Sequence, residues 1–92
     1  MTAETSESTS PVTFYGAAWC GDCRRAKALL DDLHVTYDYV DLVATPERAE
    51  DAKHISGRTN IPVIAFADGT HQVEPSNAEL EAKVRELGVV PE

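Results

Sequence analysis

Residues 12–23 have the sequence VTFYGAAWCGDC and join a predicted strand to two cysteines that lie only three positions apart. Val12 to Tyr15 has the β-branched and aromatic content of a short buried strand, and Gly16-Ala17-Ala18 allows the chain to turn sharply. From Asp22 onward, apolar residues recur at helical spacing while most charged residues fall on the other faces. The two cysteines therefore lie where a first strand passes into a first helix.

A second strand and a second helix are predicted next along the chain. Residues 36–42 alternate between apolar and polar side chains, which is the period of a strand. Thr45-Pro46-Glu47 is typical of a helix start, with Thr45 as the cap, and Ser56-Gly57 is expected to end that helix.

The last third of the chain predicts a hairpin and a final helix. An apolar run over residues 62–66 is followed by a turn at Asp68-Gly69 and a returning strand over residues 71–73. Ser76-Asn77-Ala78-Glu79 has the pattern of a capping box, and the helix that it opens is expected to finish at Gly88.

The predicted order is therefore βαβαββα, an α/β arrangement. The first two strands should pair in parallel through a right-handed crossover, and the final hairpin adds antiparallel partners to the same sheet. A four-stranded mixed sheet with three helices is the expected architecture.

The length and composition allow one small domain. The chain has 92 residues, of which 42% are apolar, and a core of this size leaves no room for a second domain. Residues 1–10 are polar and of low complexity, so we expect a flexible tail there and the domain over residues 11–92. The opening residues have no signal-peptide pattern and no apolar run is long enough for a membrane helix, which predicts a cytoplasmic protein.

The charge balance excludes two classes of partner. Eight Lys and Arg residues against sixteen Asp and Glu residues give a net charge of -8. This charge repels phosphate backbones and anionic lipids. We expect a monomer with no nucleic-acid partner and no membrane partner.

Two cysteines are too few for a disulfide framework, and their close spacing favours catalysis or metal binding. The helix N-terminus favours a thiolate at Cys20, whereas Cys23 lies one turn further on the inner face and is suited to resolve a mixed disulfide. Three basic residues, Arg24, Arg25 and Lys27, either help to hold that thiolate or form a solvated helix face.

Two other uses of the cysteines are disfavoured. A zinc site would need two further ligands from His34, His54 and His71, which lie on separate elements, so no metal site is predicted. A cysteine hydrolase would need a histidine base with an orienting carboxylate, and it would give no role to Cys23.

With Trp19-Cys20-Gly21-Asp22-Cys23 after one strand and Thr59-Asn60-Ile61-Pro62 before another, the chain resembles the thioredoxin superfamily in its small glutaredoxin form. Residues 66–70 and 74–76 are similar to mycoredoxins, the glutaredoxin-like proteins that work with mycothiol. The resemblance covers residues 12 to about 87 and implies a thioredoxin-like fold.

The resemblance also implies roles for individual residues. Cys20 would be the nucleophile, Cys23 the resolving cysteine and Pro62 a cis proline facing them, with the main chain of Ile61 pairing with an extended substrate. Further contacts with substrate or cosubstrate are implied at Trp19, Gly21, Asp22, Arg58, Asp68 and Ser76.

Departures from the family pattern concern the thiol cosubstrate. Thioredoxins have a buried acid where this chain has Phe14. Glutathione-using glutaredoxins usually have a basic residue where this chain has Ala17, and a Gly-Gly-then-Asp stretch where it has residues 73–76. Both anchors for a peptide carboxylate are therefore missing, which favours mycothiol. Asp22 is unusual because an acid there opposes negative charge on Cys20, although it suits the first turn of a helix.

The predicted function is that of a thiol-disulfide oxidoreductase that reduces mixed disulfides between proteins and a low-molecular-weight thiol. Its partners would be thiol-capped or disulfide-containing proteins, with mycothiol, or else glutathione, as cosubstrate and no tightly bound cofactor. Two alternatives stay open. One is a dithiol reductase fed by a flavoprotein reductase, and the other is a carrier that bridges an iron-sulfur cluster between two subunits through Cys20.

Overall fold

The computed structural model describes residues 10–91. The tail predicted over residues 1–10 therefore lies, apart from Ser10, outside the described residues. The elements are β1 (Val12–Gly16), α1 (Gly21–Asp32), β2 (Asp38–Asp41), α2 (Ala49–Ser56), β3 (Val63–Phe66), β4 (His71–Val73) and α3 (Asn77–Glu86). This is the predicted order.

The four strands form one mixed sheet in the order β2-β1-β3-β4. β1 pairs in parallel with β2, and β3 is antiparallel to both β1 and β4. The predicted four-stranded mixed sheet with three helices is confirmed.

Strand alternation divides the core between the two faces of the sheet. Val12 and Phe14 of β1 pack with the buried residues of α1 and α3, whereas Tyr15 packs on the opposite side against Ala52 of α2. The helix that carries Cys23, α1, is therefore fixed along one face of β1. The buried residues of the larger cluster are Val12, Phe14, Cys23, Ala26, Leu30, Val35, Ile64, Phe66, Leu80 and Val84.

Two predicted helix ends are confirmed. The hydroxyl of Ser76 accepts from the N–H of Glu79 at 3.1 Å, and the Glu79 carboxylate accepts from the N–H of Ser76 at 2.8 Å, which completes the capping box. Gly57 follows α2 with a φ of 74°, a left-handed conformation that glycine adopts without steric cost.

The prediction that Thr45 caps the second helix is wrong. Its hydroxyl donates to the carbonyl of Asp41 at 2.7 Å, and Pro46–Arg48 forms a single 3-10 turn before α2 begins at Ala49. Asp41 organises this loop, because its carboxylate also accepts from the N–H of Val43 at 2.9 Å. These contacts end β2 at Asp41.

Among residues 10–91, none of the helices combines the length and the apolar character that crossing a bilayer requires.

Candidate active site

Cys20 is the N-cap residue of α1. Its backbone is extended, with φ of -87° and ψ of 118°, and its sulfur accepts a hydrogen bond from the N–H of Cys23 at 3.2 Å. The side chain is partly exposed and forms no disulfide bond with Cys23. The sulfur therefore sits at the positive end of the helix dipole, where an incoming disulfide can reach it.

Cys23 lies one turn further along α1, on the face that also buries Ala26 and Leu30. Only 2% of its surface is exposed. Burial, followed by the contact with Cys20, raises the pKa of the Cys23 thiol to about 12. Cys23 therefore keeps its proton at neutral pH.

Gly16 makes the close approach of α1 to β1 possible. A Cβ atom at this position would lie 2.7 Å from Cε1 of Phe14 and 3.0 Å from the sulfur of Cys23. From the sequence, Gly16 is expected only as part of a turn. Strand alternation puts it on the same face as Val12 and Phe14, and this signal could have identified it as the floor under Cys23.

The loop before β3 forms the wall opposite the cysteines. The Ile61–Pro62 peptide bond is cis, as the resemblance implied, and Pro62 is buried. The carbonyl oxygen of Ile61 lies 3.9 Å from the sulfur of Cys20. A backbone edge is thus presented directly beside the exposed thiol.

These elements enclose an open cleft of about 530 Å³ around Cys20. Its lining residues are Trp19, Cys20, Gly21, Asp22, Thr59, Asn60, Ile61 and Glu74. Five of these, residues 19–22 and Ile61, are predicted contact residues. Trp19 stands at the rim with 70% of its surface exposed. Glu74 was missed as a contact residue, because only the fold brings the end of β4 to the cysteines.

Four other predicted contact residues lie outside the cleft lining, and one of them, Pro62, is buried next to Ile61. Asp68 follows β3 at the end of the sheet away from Pro62, and its carboxylate pairs with Lys83 at 2.7 Å. That ion pair holds the pKa of Asp68 well below its usual range. The Ser76 hydroxyl is committed to the capping box. Arg58 lines a neighbouring depression of about 190 Å³ that shares residues 59–61 with the cleft.

The three basic residues after the cysteines have other partners. Arg24 donates to the carbonyl of Ala18 at 2.8 Å. Lys27 pairs with Asp31 at 3.5 Å and lies 5.7 Å from the ring centre of Tyr39.

Arg25 spans from α1 to the start of α3. It contacts Asp22 at 3.5 Å and donates to the Pro75 carbonyl at 3.1 Å and to the Asn77 amide oxygen at 2.6 Å. These contacts make Arg25 a partner of Asp22 and a clamp on the chain after β4. Arg25 therefore fits neither a solvated helix face nor a direct hold on the thiolate, because it links α1 to the start of α3.

The three histidines lie apart. His34 follows α1, His54 is on α2 and His71 is on β4, and all three are exposed. Within residues 10–91, no three His, Cys, Asp or Glu side chains group closely enough to hold a metal ion.

The burial of Cys23 predicts the order in which the thiols react. Iodoacetamide at pH 7–8 should label Cys20 of the reduced protein first, because alkylation needs an accessible thiolate and the pKa of Cys23 is about 12. Peptide mapping by mass spectrometry measures the order, with guanidinium-unfolded protein as the control in which both thiols react. Preferential labelling of Cys23 in the native protein would reverse the assignment.

Comparison with known proteins shows which family this chain is similar to. The family model described as Glutaredoxin matches residues 12–72. Mycoredoxin 1 of Corynebacterium glutamicum is 35% identical over 79 residues, which cover 85% of this chain and 98% of that protein.

Two solved structures share the fold at 22% sequence identity. A glutaredoxin from Archaeoglobus fulgidus superposes with a TM-score of 0.74, covering 84% of this chain and 88% of that one. A buckwheat glutaredoxin-glutathione complex superposes with a TM-score of 0.66, covering 90% and 84%. The thioredoxin-like arrangement that the sequence resemblance implied is confirmed.

Proposed function

The chain belongs to the glutaredoxin family of thiol-disulfide oxidoreductases, and on that premise we propose that it reduces mixed disulfides between proteins and mycothiol. One observation carries the proposal. The sulfur of Cys20 lies in an open cleft, accepts an N–H from the first turn of α1 at 3.2 Å and faces the carbonyl of Ile61.

In the first step, the Cys20 thiolate attacks the mycothiol sulfur of the capped protein. A disulfide forms between Cys20 and mycothiol, and the protein leaves as a thiolate that takes a proton from water. A second mycothiol, as its thiolate, then attacks the mycothiol sulfur bound to Cys20. The products are mycothiol disulfide and the free Cys20 thiolate, so each cap removed consumes one free mycothiol and the disulfide bond of the capped protein passes to mycothiol disulfide.

A protein disulfide takes a different route. Attack by Cys20 leaves a bulky mixed disulfide, which is released when Cys23 attacks the sulfur of Cys20 and passes its proton to the leaving thiolate. The Cys20–Cys23 disulfide that forms is then reduced by two mycothiol molecules, which leave as mycothiol disulfide. The Cys23 thiol is buried and its pKa is raised to about 12, so this second attack is the demanding step. We therefore propose decapping through Cys20 alone as the main reaction.

The lining of the cleft supports an uncharged cosubstrate. Two carboxylates, Asp22 and Glu74, line it, and the position where glutathione-using relatives usually carry a base is Ala17. A glutathione carboxylate would find like charge there, whereas mycothiol has no carboxylate. The relative from Corynebacterium glutamicum carries the name Mycoredoxin 1, which agrees with this choice.

We further propose roles for the remaining groups of the site and for the chain as a whole. Trp19, Gly21 and Ile61 contact the capped protein at the cleft, and Arg58 contacts the cosubstrate from the adjoining depression. Residues 11–92 form the catalytic domain, which acts as a cytoplasmic monomer.

A parallel decapping assay tests the proposal. Reduced protein is given one peptide capped with mycothiol or with glutathione, each with its own free thiol, and kcat/KM is measured for both. We expect the value to be higher with mycothiol by about tenfold, the effect of roughly 1.4 kcal/mol of differential binding. Cys20→Ser is the inactive control. An absence of decapping with both thiols would instead support the dithiol, reductase-fed alternative.

A further inference from the structure

Building on the proposed function, we propose that Glu74 is a specificity-determining residue that makes the cleft reject thiols carrying carboxylates. The site would therefore accept an uncharged, hydroxyl-rich thiol in preference to an anionic peptide thiol. Three features of the structure support this role: the backbone of Glu74, the partners of its carboxylate and its position relative to Cys20.

The backbone of Glu74 is unusual for its residue type. Glu74 has a φ of 50°, in the left-handed region that L residues disfavour and that glycine adopts freely. Its N–H donates to the carbonyl of Pro62 at 3.0 Å, which ties this conformation to the loop beside Cys20. A residue other than glycine is therefore held in a disfavoured conformation at the edge of the active site.

The carboxylate of Glu74 is the less compensated of the two in the cleft. Asp22 pairs with Arg25 at 3.5 Å. For Glu74, the contact within the described residues is the side-chain amide of Asn60, which donates to it at 3.5 Å, and no ion pair with it forms there. Its negative charge therefore acts on whatever enters the cleft.

The position of Cys20 brings the cosubstrate within range of that charge. Both decapping steps place the sulfur of the small thiol at Cys20, inside the same cleft that Glu74 lines. Any carboxylate on that thiol then enters the cleft that Glu74 lines, and charges closer than about one Debye length, roughly 8–10 Å at ordinary salt, are only partly screened. Glutathione carries two carboxylates and one ammonium, whereas mycothiol is neutral and its hydroxyls can donate to Glu74 and accept from Asn60.

Cationic side chains lie near the cleft without lining it. Arg25 is bound to Asp22, to the Pro75 carbonyl and to the Asn77 amide oxygen. Lys53 and Arg58 line the adjoining depression, together with residues 59–61, and neither lines the cleft around Cys20. Arg58 is therefore the competing determinant of cosubstrate choice, and the experiment has to separate it from Glu74.

The test measures the ratio of kcat/KM for glutathione to kcat/KM for mycothiol in the decapping assay. Glu74→Gln should raise this ratio about threefold and Glu74→Lys about tenfold, through a lower KM for glutathione, because a solvent-exposed charge has a modest effect. The difference in this ratio between wild type and the Glu74 variants should shrink as the salt concentration rises from about 0.02 to 0.5 M. Glu86→Gln is the matched control, since Glu86 ends α3 beside Lys83, whose main partner is Asp68 at the other end of the sheet.

The outcomes separate the two proposals. This inference is overturned, and the proposed function stands, if wild type prefers mycothiol and the ratio is unchanged in both Glu74 variants but changes in Arg58→Met. If wild type does not decap with either thiol, the proposed function itself fails. A graded rise from wild type through Glu74→Gln to Glu74→Lys, weakened by salt, supports the role of Glu74.

Discussion

Replacing Cys20 with serine is expected to abolish both decapping and protein-disulfide reduction, whereas replacing Cys23 with serine should affect only the second reaction. The difference follows from the positions of the two sulfurs. The Cys20 sulfur is partly exposed and lies in the cleft, while Cys23 is 2% exposed. A small free thiol can enter the open cleft and attack the disulfide between Cys20 and a small cap. When a whole protein covers the mixed disulfide, the small thiol cannot reach it, and only Cys23 can release the protein.

The expected magnitudes make this a sharp test. Cys23→Ser should keep decapping within about threefold of wild type and lose roughly a hundredfold or more of protein-disulfide reduction, as for removal of a group that acts in only one route. Cys20→Ser should lose at least about a hundredfold in both assays. Circular dichroism and thermal unfolding of each variant show whether the fold is kept. Equal loss of decapping in the two folded variants, at saturating mycothiol, would favour the dithiol route fed by a reductase.

The sequence predicted the elements that depend on local chemistry. The capping box at Ser76, the hairpin after Asp68-Gly69 and the end of α2 at Gly57 all rest on contacts between residues close in the chain. The location of Cys20 at a helix N-terminus follows from the same kind of signal, a strand and a turn followed by helical periodicity. The architecture then follows from general rules of strand connection.

The outcomes at Asp68 and Glu74 depend on contacts between residues far apart in the chain, whereas the error at Thr45 comes from a local hydrogen bond that competes with capping. Thr45 has the right residue type for a cap, but its hydroxyl donates instead to the main-chain carbonyl of Asp41. Asp68 belongs to a stretch that resembles mycoredoxins, yet the direction of β3 carries it to the far end of the sheet, where Lys83 holds it. Glu74 reaches the cleft only because β4 returns beside β3. Neither of the last two outcomes follows from propensity or spacing along the chain.

Gly16→Ala is expected to lower the free energy of unfolding by about 1–3 kcal/mol, the usual effect of adding a methyl group to a close-packed site. The added Cβ would lie 2.7 Å from Cε1 of Phe14, which cannot move freely because its ring is fully buried against Tyr37 and Tyr39. It would also lie 3.0 Å from the sulfur of Cys23. Either the ring or the first turn of α1 has to shift, and the second movement would also displace the resolving thiol.

Thermal unfolding measures the effect of Gly16→Ala, with an expected fall in Tm of about 4–8 °C per kcal/mol for a domain of this size. Gly21→Ala is the matched control, because a Cβ there meets nothing within 4 Å and the residue begins α1, so its Tm should stay equal or rise slightly. A double-mutant cycle with Phe14→Leu locates the cause. Removing the ring atom that the new Cβ would meet should reduce the penalty of Gly16→Ala by at least about 0.5 kcal/mol. If Gly16→Ala unfolds at the wild-type temperature, Gly16 is not what sets the distance between β1 and the helix that carries Cys23.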